Sequence, residues 1–357
     1  MSFIMRPSRF AGGLESFAVK SIESGYSEDP RVLMLTSTKA VMVYLDDTNI
    51  WASILTIAAD NTITNTSRVK IGSGYTYLAA VYSAVIGNTV FVTYNSISQS
   101  QYFYGVAFTV SGTSITQGSS TSLASIDIGA ITVTAPMSST HFLTTLKDDT
   151  NTDVSVYGGS LSGTSITIGG RFVASTTTAA NQHISSLTSS KAIVFFSHSS
   201  NTYMKVVNLS GTTASSGGST ATLDSAAHDT SGSCGLSSTT ALYAANNSKC
   251  YVVTESSGNL SVGTALTFGT MGSGGRGDVN VLKISETSAA IFFAGNTGPT
   301  VQLLKISGTS VTLDGSAIQT SEGGGKTDTT IDLLSTDRFI TGFRIGATAN
   351  AAVVIKT

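Results

Sequence analysis

A chain of 357 residues with 41% hydrophobic side chains carries enough apolar material for a buried core, which excludes wholesale disorder. Charged residues make up only 11%, the formal net charge is −2, and the basic residues stand singly, which excludes a nucleic-acid surface built on clustered lysine and arginine. No apolar run approaches the roughly 18 residues that a membrane-spanning helix needs, so no membrane insertion is expected.

In chain order, residues 1–13 come first, with Phe3, Ile4, Met5, Arg6, Pro7, Arg9 and Phe10 ahead of an Ala11-Gly12-Gly13 joint. Arg6 interrupts the apolar stretch and no hydrophobic region follows, so this is not read as a signal peptide. Met1 is read as a true start, and the chain is expected to be made in a cytoplasm without a secretory address. Large apolar side chains on a soluble tail are a liability unless covered. Phe3, Ile4, Met5, Arg6 and Phe10 are therefore the expected contact residues of a docking tail, and 14–357 the folded domain.

From there the chain repeats. The apolar residues Leu35, Val85, Met137, Leu187, Leu236, Ile284 and Leu334 each close a strand-like run and precede a Ser/Thr/Gly-rich turn, at spacings of 48 to 52 residues. A strongly apolar run follows each turn, such as AVMVYL, TVFVTY, KAIVFF and AAIFFA. A hairpin signal lies some 25 residues past each of the first six anchors: Ala59-Asp60-Asn61, Ser111-Gly112-Thr113, Ser162-Gly163-Thr164, Ser210-Gly211-Thr212, Ser257-Gly258-Asn259 and Ser307-Gly308-Thr309. Each unit reads as four strands, A to D. Strand B is apolar on successive residues, as in Ile193-Val194-Phe195-Phe196, so both of its faces must be covered by neighbouring sheets. The expected fold is all-β: a seven-bladed β-propeller of four-stranded antiparallel blades.

The ends bear on closure. The seventh unit stops after its third strand, and the N-terminal run Leu14 to Ile22 resembles the outer-strand region of the sixth unit. A closed ring is expected, with this N-terminal strand completing the last blade. Cys234 and Cys250 fall on the first and third strands of one unit, roughly 9–10 Å apart at two inter-strand spacings. That is beyond disulfide reach, so two free thiols are expected.

Searching for chemistry turns up little. No two of His141, His183, His198 and His228 have metal-ligand spacing, and HExxH is absent; no metal and no cofactor is expected. His141 opens a strand B, and His183 and His228 are placed near one face. No GxSxG or phosphate-cradling loop occurs. Asp46-Asp47 and Asp148-Asp149 are adjacent in B–C turns rather than opposed across a substrate, and Arg276-Gly277-Asp278 is a chance-grade tripeptide. Eight arginines (Arg6, Arg9, Arg31, Arg68, Arg171, Arg276, Arg338 and Arg344) are assigned to tail, turns and outer strands. Inner strands carry small neutral residues such as Ser185-Ser186 and Ser233-Cys234-Gly235, a poor channel for acid–base work. The expectation is that the chain is not an enzyme.

Units such as LTSSKAIVFFSHSS…SGTTAS lack the WD40, kelch and sialidase signatures. They resemble instead a loose group of "LSSTKxLVxYxD…SGTSIT" repeats found in bacteriophage and environmental bacterial reading frames, over about residues 26–357. That resemblance implies a virion fibre or adhesin propeller, with no functional residue carried over. It implies a protein made in the host cytoplasm and located on the virion, in several copies, bound to other virion proteins by its tail and possessing a face for a host glycan or protein. The face assigned to that contact carries the D–A and B–C loops, with Tyr75, Tyr77, His228 and Arg276 as candidate binding residues. A free-standing lectin-like carbohydrate-binding propeller is the alternative.

Overall fold

The structure is a computed structural model that describes residues 14–16, 19–23, 27–46, 49–73, 82–96, 102–124, 133–148, 151–177, 179–228, 230–271, 279–295, 298–319, 329–345 and 348–356. Every regular element among them is a β-strand, and the strands form seven antiparallel sheets, one per repeat. The innermost strands A are Ser27–Thr36, Tyr82–Ile86, Val133–Pro136, Ala180–Thr188, Ser231–Gly235, Val279–Ser285 and Thr329–Ser335. Each passes through an A–B turn into a strand B and on to a strand C, as in Lys191–His198 and Asn201–Ser210 of the fourth blade.

Successive apolar residues on strand B do what the pattern demands. In the fourth blade Ala192, Val194 and Phe196 pack in a cluster shared with the third blade. Ile193 and Phe195 turn the other way into a cluster shared with the fifth. Seven such clusters fill the seven gaps between blades, so the core is a ring of inter-blade interfaces. The large aromatics among them, including Phe91, Phe142, Phe195, Phe292 and Phe339, are almost wholly removed from water. Each buried side chain of this kind contributes roughly 1.5–3 kcal/mol.

The N-terminal strand closes the ring as expected. Leu14–Ser16 and Lys20–Glu23 both pair antiparallel with the last strand C, Thr348–Lys356, as two halves of the missing outer strand. Outer strands are split in the same way in blades one, two, five and six, whereas Ser165–Ser175 and Thr213–Asp224 run continuously in blades three and four. The continuous strands pass a register shift at Gly169-Gly170 and Gly217-Gly218. Side chains are barred at one glycine of each pair: a Cβ on Gly169 would stand 1.9 Å from the Thr212 carbonyl, and one on Gly218 2.0 Å from that of Gly258.

On the A–B and C–D side, residues that open a strand B reach the C–D turn of the next blade. Lys39 Nζ donates to the Gly112 carbonyl at 2.8 Å, Thr89 Oγ1 to that of Gly163 at 3.3 Å, and Arg338 Nη2 to Asn61 Oδ1 at 2.5 Å across the closing seam. Lys191 Nζ meets Glu255 Oε2 at 2.9 Å, and the other oxygen of that buried carboxylate accepts the Gly258 N–H at 2.7 Å. The Ser-Gly-Thr turns hold glycine at positive φ (+58° at Gly163, +56° at Gly211), the left-handed backbone that glycine reaches without strain. Cys234 and Cys250 are free, on strands A and C of blade five as expected. Burial pushes both thiols up to about 12, with Lys283 pulling Cys234 the other way.

Candidate functional site: the central channel

An inner strand A has a partner on one edge only. Its other edge, with alternate N–H and C=O groups, faces the axis of the ring. Residues of all seven inner strands line one cavity of about 570 Å³ on that axis. Small side chains keep it open: Ala84, Ala135, Ser185, Ser186, Ser233 and Gly235 stand in its wall. At Gly235 the blades come so close that a Cβ would lie 1.8 Å from the Ser186 carbonyl. Ser185 Oγ donates to Ser233 Oγ and Asn181 Nδ2 to Ser231 Oγ, both at 2.8 Å, tying blade four to blade five.

The wall also carries Arg31, His183, Lys283 and Asp332. This corrects the sequence reading, which placed the arginines on tail, turns and outer strands and saw only small neutral residues inside. Arg31 lies on the inner strand Ser27–Thr36, opposite Val43, and is 8% exposed. Arg31, His183, Asn280 and Thr330 occupy the same step of their strands, four residues before the anchors Leu35, Leu187, Ile284 and Leu334. Desolvation, reinforced by the charge of Arg31, lowers the His183 imidazole to about 3, so it is neutral at physiological pH.

Asp332 sits two steps deeper. Its Oδ2 accepts the Met34 N–H of blade one and its Oδ1 the Leu333 N–H, both at 2.7 Å. Desolvation outweighs those two bonds and raises the carboxyl to about 6. The side chain is only half-buried by surface area, but the space it faces is a channel walled by protein rather than bulk water.

Of the residues picked from the sequence, Tyr75, Tyr77 and Arg276 lie outside the described residues, as do Phe3, Ile4, Met5, Arg6 and Phe10 of the tail. His228 follows the outer strand of blade four as expected, but it is 1% exposed and is not a surface group. Its Nε2 stands 3.2 Å from Asp224 Oδ2, which also accepts the Tyr251 hydroxyl at 2.6 Å and Asn247 Nδ2 at 3.3 Å. Burial works against the Asp224 carboxylate, yet the Tyr251 and His228 hydrogen bonds hold it below its ordinary range. His183 and His228 are not brought together: one faces the channel, the other lies between blades four and five, 6.3 Å from the Tyr243 ring. His141 opens a strand B as expected. The hairpin acids hold arginines: Asp46 pairs with Arg68, which stacks 4.2 Å over Trp51, and Asp148 and Asp153 share Arg171. Among the described residues no group of three or more His, Cys, Asp or Glu is arranged to hold a metal.

No family model matches the chain, and no curated protein matches it. Solved structures do. The BP39L lectin from Burkholderia pseudomallei is similar at 11% identity and TM-score 0.67, over 93% of this chain and 97% of that one. The Cps50 (Swd1) β-propeller domain of Myceliophteria thermophila is similar at 8% identity and TM-score 0.57, over 95% and 98%. A Hadza microbial sialidase, Hz136, is similar at 7% identity and TM-score 0.51, over 94% of this chain and 68% of that one. These likenesses establish the propeller fold. The last of them overturns the expectation that the chain is not an enzyme as a reading of the scaffold: a sialidase is built on the same fold, and the fold by itself decides neither for nor against catalysis.

Proposed function

We propose that this propeller is a carbohydrate-binding adhesion module whose ligand enters the central channel. The observation that carries the reading is the channel itself: about 570 Å³, lined by every blade with hydroxyls, amides and a few ionisable groups among apolar residues. That volume falls within the roughly 300–1,000 Å³ of small-molecule sites, and the mixed lining suits a ligand with both C–H faces and hydroxyls. The fold likeness to a lectin supports it, as do the low charge and the hydroxyl-rich surface. The finer reading is a virion component, docked in several copies through Phe3, Ile4, Met5, Arg6 and Phe10, that presents this channel to a host surface. Its support is the repeat resemblance and the apolar tail.

The test has two arms. A glycan array probed with the full chain is expected to show binding to a defined set of sugars, and a blank array sinks the carbohydrate reading. A pull-down with the full chain and with residues 1–13 deleted, against virion proteins and host envelopes separately, reads the context. Loss of virion capture on deletion, with envelope capture kept, supports the virion reading. Glycan binding by both versions with no virion capture by either favours a free-standing lectin.

A further inference from the structure

We infer that a buried water molecule is an integral part of the interface between blades three and four, held by the Gln182 amide and the Thr145 hydroxyl directly behind the channel wall, whatever ligand the channel takes.

Thr145 lies on strand B of blade three, His141–Asp148, and Gln182 on the inner strand of blade four, Ala180–Thr188; those two strands pack against each other. Register fixes where both side chains point. Thr145 stands opposite Val133 on one side and Val156 on the other, and Gln182 stands opposite Phe196. Residues directly opposite in an antiparallel sheet share a face, and Val133, Val156 and Phe196 all pack in the apolar cluster between these two blades. Thr145 and Gln182 therefore turn their polar atoms into one apolar gap, where they are 0% and 1% exposed. Neither Thr145 Oγ1 nor either end of the Gln182 amide has a hydrogen-bond partner within the chain.

Buried polar groups in folded proteins are almost always paired, and one left bare forfeits its hydration without return. A direct bond between Thr145 and Gln182 would still strand one end of the amide. The gap therefore calls for a guest that both donates and accepts and that is small enough for a closed interface. Water meets both conditions, and an apolar guest leaves all three atoms bare. Room for it follows from the repeat. Thr145 is the eighth residue past the anchor Met137, the step that Phe195 and Phe292 fill in blades four and six. A threonine where those blades place a phenyl ring is short by most of that ring, against the roughly 30 Å³ that one water occupies in the liquid. Asn181 and His183, on either side of Gln182, line the channel, so the water sits one residue behind its wall.

The experiment is a crystal structure of the full chain at a resolution that orders internal solvent, paired with water–amide NOE spectra of the same protein. The expected result is one ordered water about 2.7–3.2 Å from both the Gln182 amide and Thr145 Oγ1. The matching signal is an NOE from water to the Gln182 side-chain amide protons, with the sign of a long-lived internal site. Thr145→Val keeps the shape and removes one anchor. It is expected to weaken that NOE at least twofold and to lower the melting temperature by about 1–3 °C. Should the variant fail to fold, the wild-type density and NOE decide. A Gln182 amide bonded to protein atoms alone, or absence of both the density peak and the NOE, overturns the inference. So does a Thr145→Val protein more stable than wild type, because a hydroxyl that holds no water is better replaced by a methyl group.

Discussion

Replacing Asp332 by asparagine tests the electrostatics of the channel directly. A carboxyl in an unfolded chain titrates near 3.8, and in the folded protein this one is raised to about 6 because desolvation outweighs the Met34 and Leu333 N–H bonds. The folded state thus holds the proton longer than the unfolded state. The group's stabilising contribution is fully present below pH 4 and is lost as pH rises through 6. A difference of about two pKa units is worth about 3 kcal/mol at roughly 1.4 kcal/mol per unit. Because the side chain is only half-buried, solvent screening makes that an upper figure, and a loss of about 1–3 kcal/mol between pH 4 and pH 7 is expected. Asparagine cannot ionise, and its single carbonyl oxygen serves one of the two N–H groups, which costs about 1 kcal/mol at every pH. Asp332→Asn should therefore be less stable than wild type at pH 4 and catch up with it, or pass it, by pH 7. Calorimetric melting of both proteins at half-unit steps from pH 4 to 8 reads the difference. Parallel curves across that window would refute the assignment of a raised carboxyl at this seam.

Three further outcomes follow from the packing. Gly235→Ala forces a Cβ to within 1.8 Å of the Ser186 carbonyl between blades four and five, and should cost at least about 3 kcal/mol, seen as a large drop in melting temperature or loss of soluble protein. Glu255→Ala strips Lys191 and the Gly258 N–H of a carboxylate partner. Because Lys191 is partly hydrated, the cost should stay near 1–2 kcal/mol in chemical denaturation rather than reach the 3–5 kcal/mol of a fully buried pair. With both thiols pushed up to about 12 by burial, the native protein should react with a disulfide reagent far more slowly than the two thiols released by denaturant; two prompt equivalents in native buffer would contradict the placement of Cys234 and Cys250.

The blade was legible because its constraints are local and repeated. A strand apolar on successive residues, such as Ala192 to Phe196, has few solutions outside a sheet covered on both faces, and the structure divides those residues between two inter-blade clusters. The closing strand was legible for the same reason: a seventh unit short of an outer strand left one place for Leu14 to Ile22. The channel was not, because its charges come one per blade from strands far apart in sequence. Arg31 reads as an isolated base in VLML-type surroundings until Arg31, His183, Asn280 and Thr330 are set in one column, counted back from the anchors. Counting in that way would have shown that the column is polar in at least four blades. His228 was misjudged for a different reason. A histidine in a polar loop suggests exposure, but this one is buried beside Tyr243 and holds Asp224, which in turn accepts Tyr251 and Asn247.

The site and the closure of the ring are one problem. Arg31 comes from the first blade and Asp332 from the last, and the two strands that carry them meet where the chain's ends join. Across that seam Asp332 accepts the Met34 N–H, Arg338 donates to Asn61, and Ile22 of the N-terminal strand enters the apolar cluster with Val32 and Val353. The outer strand from the N-terminus therefore does more than cover an edge. It completes the blade that holds Asp332 against the inner strand of blade one. A chain lacking residues 14–23 should consequently show two linked defects: a raw edge on Thr348–Lys356 that promotes self-association, read by light scattering, and a lower melting temperature in the monomer that remains. Self-association at an unchanged melting temperature would mean that the inner strands hold the seam without help from the closing strand.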